Sequence, residues 1–307
     1  AWVLRKFMNI SGSEGLVAAG NIFMGMTESP VLIKNYLPTM NRSEIFLVMV
    51  SGMGTIAGSV MGTYIGMLGG TDPASKVLFA THLLSASVMA VPGSIVLAKM
   101  LCPQTEEATD HVAVSGKEKE NSNILDAISS GTVTGVKLMT NIAAMLLVFI
   151  SLVALANYVT EDVIGRYTGL NDWIVQISDG KAKGLTFQFI LGVITAPFMW
   201  LIGVPGQDIM LVGSLLGQKT ILNEFVAYFQ LQQWKDAGLF MYEKSILMST
   251  YILCGFANIS SIGILLGGLG VLAPEKRGLI SRIGVPAMIG GALVSVLSAT
   301  IIGMILG

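Results

Sequence analysis

The chain has 307 residues, 53% hydrophobic and only 12% charged, with a mean hydropathy of +0.72. Soluble domains average roughly 25% charged residues, so there are too few charges here to cover a water-soluble particle, and a polytopic membrane protein is expected. The 18 Lys and Arg against 19 Asp and Glu give a net charge of -1 with no basic block, which argues against nucleic acid as a partner. Cys102 and Cys254, in unrelated apolar contexts, build neither a disulfide framework nor a metal cluster. Because Ala1 is not a methionine, further N-terminal sequence is expected ahead of it.

In chain order, the apolar segments are of two kinds. Segment 15–37 is interrupted at its centre by Asn21, Thr27, Glu28, Ser29 and Pro30, and segment 44–68 by a run of small residues from Ser51 to Ser59. Segment 75–101 is an uninterrupted spanning helix, with Lys76 and Lys99 at its ends where they can snorkel and His82 as a packing residue. Residues 102–123 are aqueous in character, and 123–137 form an amphipathic helix with Ile124, Leu125, Ile128, Val133 and Val136 as its apolar members, suited to the membrane interface. Segment 140–158 is a further spanning helix, of scaffold type, and 163–180 a second interfacial candidate. Segment 185–230 is broken at Gly203-Val204-Pro205-Gly206-Gln207-Asp208 and carries Asn223-Glu224-Phe225; segment 245–272 is interrupted from Phe256 to Gly263; 284–306 is again uninterrupted. Lys and Arg are spread too evenly over the short loops to fix orientation.

The two interrupted pairs occur in the same order. A hairpin-like segment with a central glutamate precedes a helix broken by small, hydroxyl and amide residues, which is the sequence sign of an inverted-repeat transporter with its site at the bilayer midplane. The expected fold class is an all-α polytopic membrane protein whose inverted repeats each contain a re-entrant helical hairpin and an interrupted transmembrane helix. A first repeat covers 1–101, a middle section 102–183, and a second repeat 184–307, with its hairpin at 185–230. Only Glu28 and Glu224 fall well inside apolar segments by sequence, and a carboxylate at membrane depth costs roughly 2.5–3.5 kcal/mol on insertion scales. Lys34 and Lys219 are near enough in sequence to pair with them. The functional alternative is an acceptor for the hydroxyls of a small neutral solute.

Several strings resemble the concentrative nucleoside transporter family. Gly20-Asn21-Ile22-Phe23-Met24-Gly25-Met26-Thr27-Glu28-Ser29-Pro30 is similar to its first hairpin, N-I-F-x-G-Q-T-E-[SA]-P, and Thr55-Ile56-Ala57-Gly58-Ser59-Val60 to its first interrupted helix. Leu222-Asn223-Glu224-Phe225-Val226-Ala227-Tyr228 and Gly255-Phe256-Ala257-Asn258-Ile259-Ser260-Ser261-Ile262-Gly263 resemble its second hairpin and second interrupted helix. The resemblance runs from about Gly12 to the C-terminus and lacks the family's N-terminal helices.

The resemblance implies a nucleoside symporter of the cell (inner or plasma) membrane, trimeric and elevator-like, with no cofactor beyond a coupling ion. Met26, Thr27 and Glu28 would face the nucleobase, with Val60 packed against it. Glu224, Asn258 and Ser261 would bind the ribose hydroxyls, with Phe256 lining that half. Asn21, Thr55 and the carbonyls of Met24 and Ile56 would coordinate sodium. Met26 departs from the family glutamine, exchanging a donor and an acceptor for a polarizable thioether; either base selectivity shifts, or Thr27 or water takes over those contacts. Retention of Asn21 and Thr55 favours sodium; the alternative is proton coupling through Glu28 or Glu224.

Gly213-Ser214-Leu215-Leu216-Gly217-Gln218-Lys219-Thr220 only imitates a phosphate-binding loop, since Gln218 separates the lysine from the glycine. An intramembrane enzyme would need a paired catalytic set that no apolar segment supplies. A channel would explain the glycines but not the paired hairpins.

Overall fold

The computed structural model describes residues 6–8, 10–106, 123–126, 128–129, 132–133, 136, 140, 147, 151–152, 154–178 and 182–307. The chain forms two compact units, one from Ala1–Val112 with Leu191–Gly307 and one from Ala113–Ile190. Every regular element among the described residues is helical. Most of the aqueous stretch 102–123 and about half of the spanning helix 140–158 lie outside the described residues; in 123–137 the described residues after Asn123 are helical, and Ile124, Leu125, Ile128, Val133 and Val136 are exposed.

In the first unit, the first hairpin is α1 (Gly12–Gly20), a turn, and a short 3-10 segment (Ser29–Ile33). It leads into α2 (Arg42–Gly54), a break, and α3 (Gly58–Gly69). Capping boxes start both α1 and α2. Ser11 Oγ accepts from the Glu14 N–H and the Glu14 carboxylate from the Ser11 N–H at 2.8 Å; Asn41 and Glu44 repeat the exchange at 3.0 and 2.9 Å. Both glutamates are buried.

α4 (Pro73–Leu101) opens on an Asp72 cap with Pro73 in its first turn. At its far end Lys99 does not reach outward. Its ammonium pairs with Glu14 and donates to Ser43 Oγ at 3.1 Å and Gln104 Oε1 at 2.9 Å. The desolvated capping carboxylate of Glu14 demands a counter-charge, and the last turn of α4 is where a cation also suits the helix dipole. His82 packs as expected, with Nδ1 3.1 Å from the Tyr251 hydroxyl.

The second hairpin region contains α6 (Phe187–Leu201), α7 (Ile209–Ile221) and α8 (Glu224–Asp236), followed by α9 (Glu243–Leu253), a break, α10 (Ile259–Leu272) and α11 (Arg277–Ile305); α5 (Leu170–Ile177) belongs to the other unit. The break at 203–208 ends α6, so the tight hairpin is α7–α8. Asp208, fully buried, accepts from the Met241 and Tyr242 N–H groups at 3.0 and 3.1 Å and so holds the start of α9. Among the described residues, three helical stretches are long and apolar enough to cross a membrane: Arg42–Gly69, Pro73–Leu101 and Pro274–Ile305.

Two apolar clusters fill this unit. One joins the first hairpin and α2 to α10 and α11 through residues such as Met26, Ile33, Met49, Leu265 and Val294. The other joins α3 to α7, α8 and α9 through residues such as Tyr64, Leu215, Tyr228 and Met248. Each hairpin thus shares a core with the second half-helix of the opposite repeat.

In the second unit a π-helical turn (Tyr158–Gly165) precedes α5 (Leu170–Ile177). Asn171 pins it, accepting from the Leu185 N–H at 2.9 Å and donating to the Glu161 carbonyl at 3.0 Å. Tyr167 and Trp173, within the interfacial candidate, are exposed.

Candidate functional site

The second hairpin tip is built around Asn223, whose Oδ1 accepts from the Val226 N–H at 2.9 Å and starts α8 with Glu224 in its first turn. The Glu224 carboxylate is buried. Oε2 accepts from Asn258 Nδ2 at 3.0 Å and Oε1 from the Tyr64 hydroxyl at 3.3 Å. Asn258 does double duty as the cap of α10: its Oδ1 accepts from the Ser261 N–H at 2.9 Å, the Ser261 hydroxyl at 3.0 Å and the Ser260 hydroxyl at 2.6 Å. Glu224, Asn258 and Ser261 therefore form one connected set. Phe256, half-buried, packs against both apolar clusters.

Tyr64 was not anticipated from sequence. It lies on α3 and stacks on Tyr228 at 4.2 Å between centroids with 24° between planes, while Phe225 stands tilted at 6.2 Å. Only the fold brings α3 to α8; the available signal was a tyrosine in an otherwise apolar half-helix, whose hydroxyl needs a partner once buried.

At the first hairpin tip, Asn21 is fully buried. Its Nδ2 donates to Ser51 Oγ at 3.0 Å and its Oδ1 accepts from Ser29 Oγ at 2.6 Å. Thr55 Oγ1 donates to the Ser51 carbonyl at 2.9 Å. Ile56 is buried and Met24 half-buried. The pocket of groups here is amide, hydroxyl and carbonyl oxygen, the donor set a hard monovalent cation takes; among the described residues no three His, Cys, Asp or Glu side chains gather as a transition-metal site would need.

The residues expected on the base side separate by exposure. Met26 is buried against α2, where a Cβ on Gly52 would lie 2.9 Å from the Met26 Cβ. Thr27 is half-buried facing α10, where a Cβ on Gly268 would lie 3.3 Å from its methyl. Val60 is half-buried against the second cluster. Glu28 is exposed, folded over Gly25 at the tip. The two glutamates expected at depth thus differ: Glu224 is buried, Glu28 is not, and among the described residues the other buried acids are Glu14, Glu44 and Asp208. Each of these three satisfies backbone N–H groups at a helix start, a role that apolar-segment counting misses because capping residues sit at segment ends.

The two breaks meet back to back. The Phe256 N–H donates to the Thr55 carbonyl at 3.3 Å. Gly255, at φ +153, lets this happen: a Cβ there would lie 2.9 Å from the Met53 carbonyl oxygen and 3.1 Å from the Gly54 carbonyl carbon. Lys219, one of the two lysines weighed as glutamate partners, does not pair with Glu224; its ammonium donates to the Ile252 carbonyl at 2.8 Å and to Ser295 Oγ at 2.9 Å. Lys34 is exposed. The imitation phosphate loop lies inside α7, so its N–H groups are spent on the helix.

A family model described as "Na+ dependent nucleoside transporter C-terminus" matches residues 82–303, and one described as "Nucleoside recognition" matches residues 1–71. The chain belongs to the sodium-dependent, concentrative nucleoside transporter family. It is 39% identical to an uncharacterized transporter of Haemophilus influenzae over 99% of its own length and 68% of that protein's. It is also 39% identical to sodium/nucleoside cotransporter 1 of Rattus norvegicus, of which it spans only 46%. Among solved members of the family, CNTnw in an inward-facing substrate-bound state superposes with a TM-score of 0.81 at 35% identity, covering 99% of this chain and 68% of that one. A CNTnw variant in an outward-facing state gives 0.84 at 35% identity, over 98% and 67%. The family fold is the expected one: all-α, polytopic, with inverted repeats of hairpin and interrupted helix.

Proposed function

We propose that this protein is a sodium-coupled nucleoside symporter of the cell membrane, multi-pass and homotrimeric, that moves its substrate by elevator-type alternating access without altering it chemically. The observation that carries the reading is the Glu224–Asn258–Ser261 set. A buried carboxylate whose two oxygens each hold one neutral donor keeps further lone pairs for a pair of vicinal hydroxyls, and Asn258 and Ser261 stand beside it with exchangeable hydrogen bonds. A ribose is a solute with that pattern. Thr27 and Glu28, with Met26 and Val60 alongside, form the base-side half, and Phe256 the wall at the ribose side.

The coupling ion is assigned to Asn21, Thr55 and the carbonyls of Met24 and Ile56. An unwound segment such as 55–57 frees carbonyls that a sodium ion can take at the price of its own hydration shell. Alternating access is supported by the inward-facing state of CNTnw and the intermediate and outward-facing states of its variants. We assign 1–101 and 184–307 as the two repeats and 102–183 as the section between them. Exposed apolar side chains such as Val193, Ile194, Phe198 and Trp200 suit a bilayer or neighbouring subunits as their cover.

Counterflow of radiolabelled uridine and adenosine into proteoliposomes, with and without a sodium gradient, tests the reading. Saturable accumulation driven by sodium is expected. Passive, non-saturable flux would indicate a channel. Uptake that ignores sodium and collapses with the proton gradient would move coupling to Glu28 or Glu224.

A further inference from the structure

Lys219 is the one buried cation among the described residues, fully removed from solvent. No described carboxylate lies within 4.0 Å of it. Its ammonium instead donates to the Ile252 carbonyl at 2.8 Å and to Ser295 Oγ at 2.9 Å, and the Ser295 hydroxyl passes the bond on to the Cys254 carbonyl at 2.9 Å. Ile252 is in the last turn of α9 and Cys254 is its C-cap. Lys219 therefore sits on the carbonyl end of a half-helix, at the break, where aligned peptide dipoles leave partial negative charge.

The first repeat has the same construction with a different occupant. Asn21 precedes Glu28 on the incoming arm of its hairpin as Lys219 precedes Glu224 on α7. Thr55 is the C-cap of α2 as Cys254 is of α9. Around the first break the side chains are neutral oxygen donors, Asn21, Ser29, Ser51 and Thr55, with no lysine among them. Around the second break the positive charge is already supplied, covalently, by the chain.

We infer that the Lys219 ammonium is a tethered cation standing, in the second repeat, where the coupling ion stands in the first. The pair of breaks then needs one mobile ion rather than two. The hairpin carrying Glu224 is then tied to the end of α9 by a charge that belongs to the chain, while the first hairpin gains the corresponding charge only when sodium binds. Lys219 is a positioning residue: it fixes the Cys254–Asn258 break and so the placement of Asn258 against Glu224. This inference rests on the sodium assignment above.

The test uses the full-length carrier carrying Lys219→Ala or Lys219→Met, in detergent and in proteoliposomes. Removing the side chain in Lys219→Ala exposes the carbonyl end and a cation-sized space. Sodium chloride should then raise its melting temperature by more than it raises that of the wild type, choline chloride should not, and the Hill coefficient of uptake for sodium should exceed the wild-type value. Lys219→Met fills the space with apolar chain, so its loss of uptake should not be recovered by sodium. Recovery of folded Lys219→Ala in sodium but not in choline supports the inference equally. Wild-type sodium dependence in both variants, or no folded Lys219→Ala in either salt, overturns it. Asn21→Ala, measured in parallel, reads the first repeat alone. A wild type without any sodium response defeats the sodium assignment, whereas a response gained by Lys219→Ala in that background still upholds the tethered cation.

Discussion

The Tyr64 hydroxyl is the only contact reaching Glu224 from the first repeat among its described hydrogen bonds, and its ring is held separately by the Tyr228 stack. Tyr64→Phe should therefore leave the fold intact and free Glu224 Oε1. A hydrogen bond of this kind contributes about 1.5 kcal/mol, equivalent to roughly a tenfold rise in nucleoside KM. Uptake kinetics at unchanged protein level check it; an unaltered KM would show that Asn258 alone orients the carboxylate. Met26 is the other residue-scale question. It is buried against Gly52, so Met26→Gln places an amide where a thioether packs, beside Thr27 and Glu28. We expect the ratio of uridine to adenosine KM to shift; an unchanged ratio across a nucleoside panel would assign base contacts to Thr27 and Glu28. The break at Asn258–Ser261 was legible because an amide followed by serines inside an apolar segment has few uses other than a broken helix; the ribose-side role of these residues came from the resemblance. Tyr64 was not legible, because its meaning depends on an element 160 residues away in sequence.

At the scale of elements, the breaks were readable and their surroundings were not. The small-residue run 51–59, with Gly52, Gly54 and Gly58, and the Gly255-to-Asn258 stretch do not continue an apolar helix favourably, so the interruptions of α2–α3 and α9–α10 appear in the sequence directly. What they rest on does not. Gly255 needs both its positive φ and its missing Cβ, since the Met53 carbonyl oxygen lies 2.9 Å from where that atom would be. Gly255→Ala should cost on the order of 3 kcal/mol from backbone strain and overpacking together. It should also uncouple the Phe256–Thr55 contact, seen as a lower melting temperature and lost sodium-driven uptake; a variant with wild-type stability would mean the breaks can separate. Lys99 shows the same limit from the other side. A lysine at the end of an apolar segment reads as a snorkelling residue, yet the buried capping carboxylate of Glu14 draws it inward. Burial of Glu14 follows from how the hairpin packs on α2 and α4, which no local pattern contains.

For the whole molecule, the scarcity of charge fixed the solvent. With 12% charged residues, the apolar surface left exposed, such as Trp200 and Val271, must be met by lipid or by other subunits. A homotrimer predicts that light scattering of the detergent-solubilised protein, corrected for bound detergent, returns three chains per particle; a mass of one chain, 32.5 kDa for the residues here, would exclude it. The sequence by itself determined the membrane setting, the all-helical class, the order of hairpins and interrupted helices, and most of the polar groups at the two tips, because each follows from local composition: apolar length, helix breaking, and the cost of polar groups in hydrocarbon. Tertiary structure alone decided which glutamate is buried, that Tyr64 reaches Glu224, that Lys219 binds carbonyls instead of a carboxylate, and that each hairpin shares its core with the other repeat's half-helix. Those outcomes turn on desolvation and on partners distant in the chain. Burial sets the energy of a charge, and burial is a property of the packed molecule rather than of any segment of it.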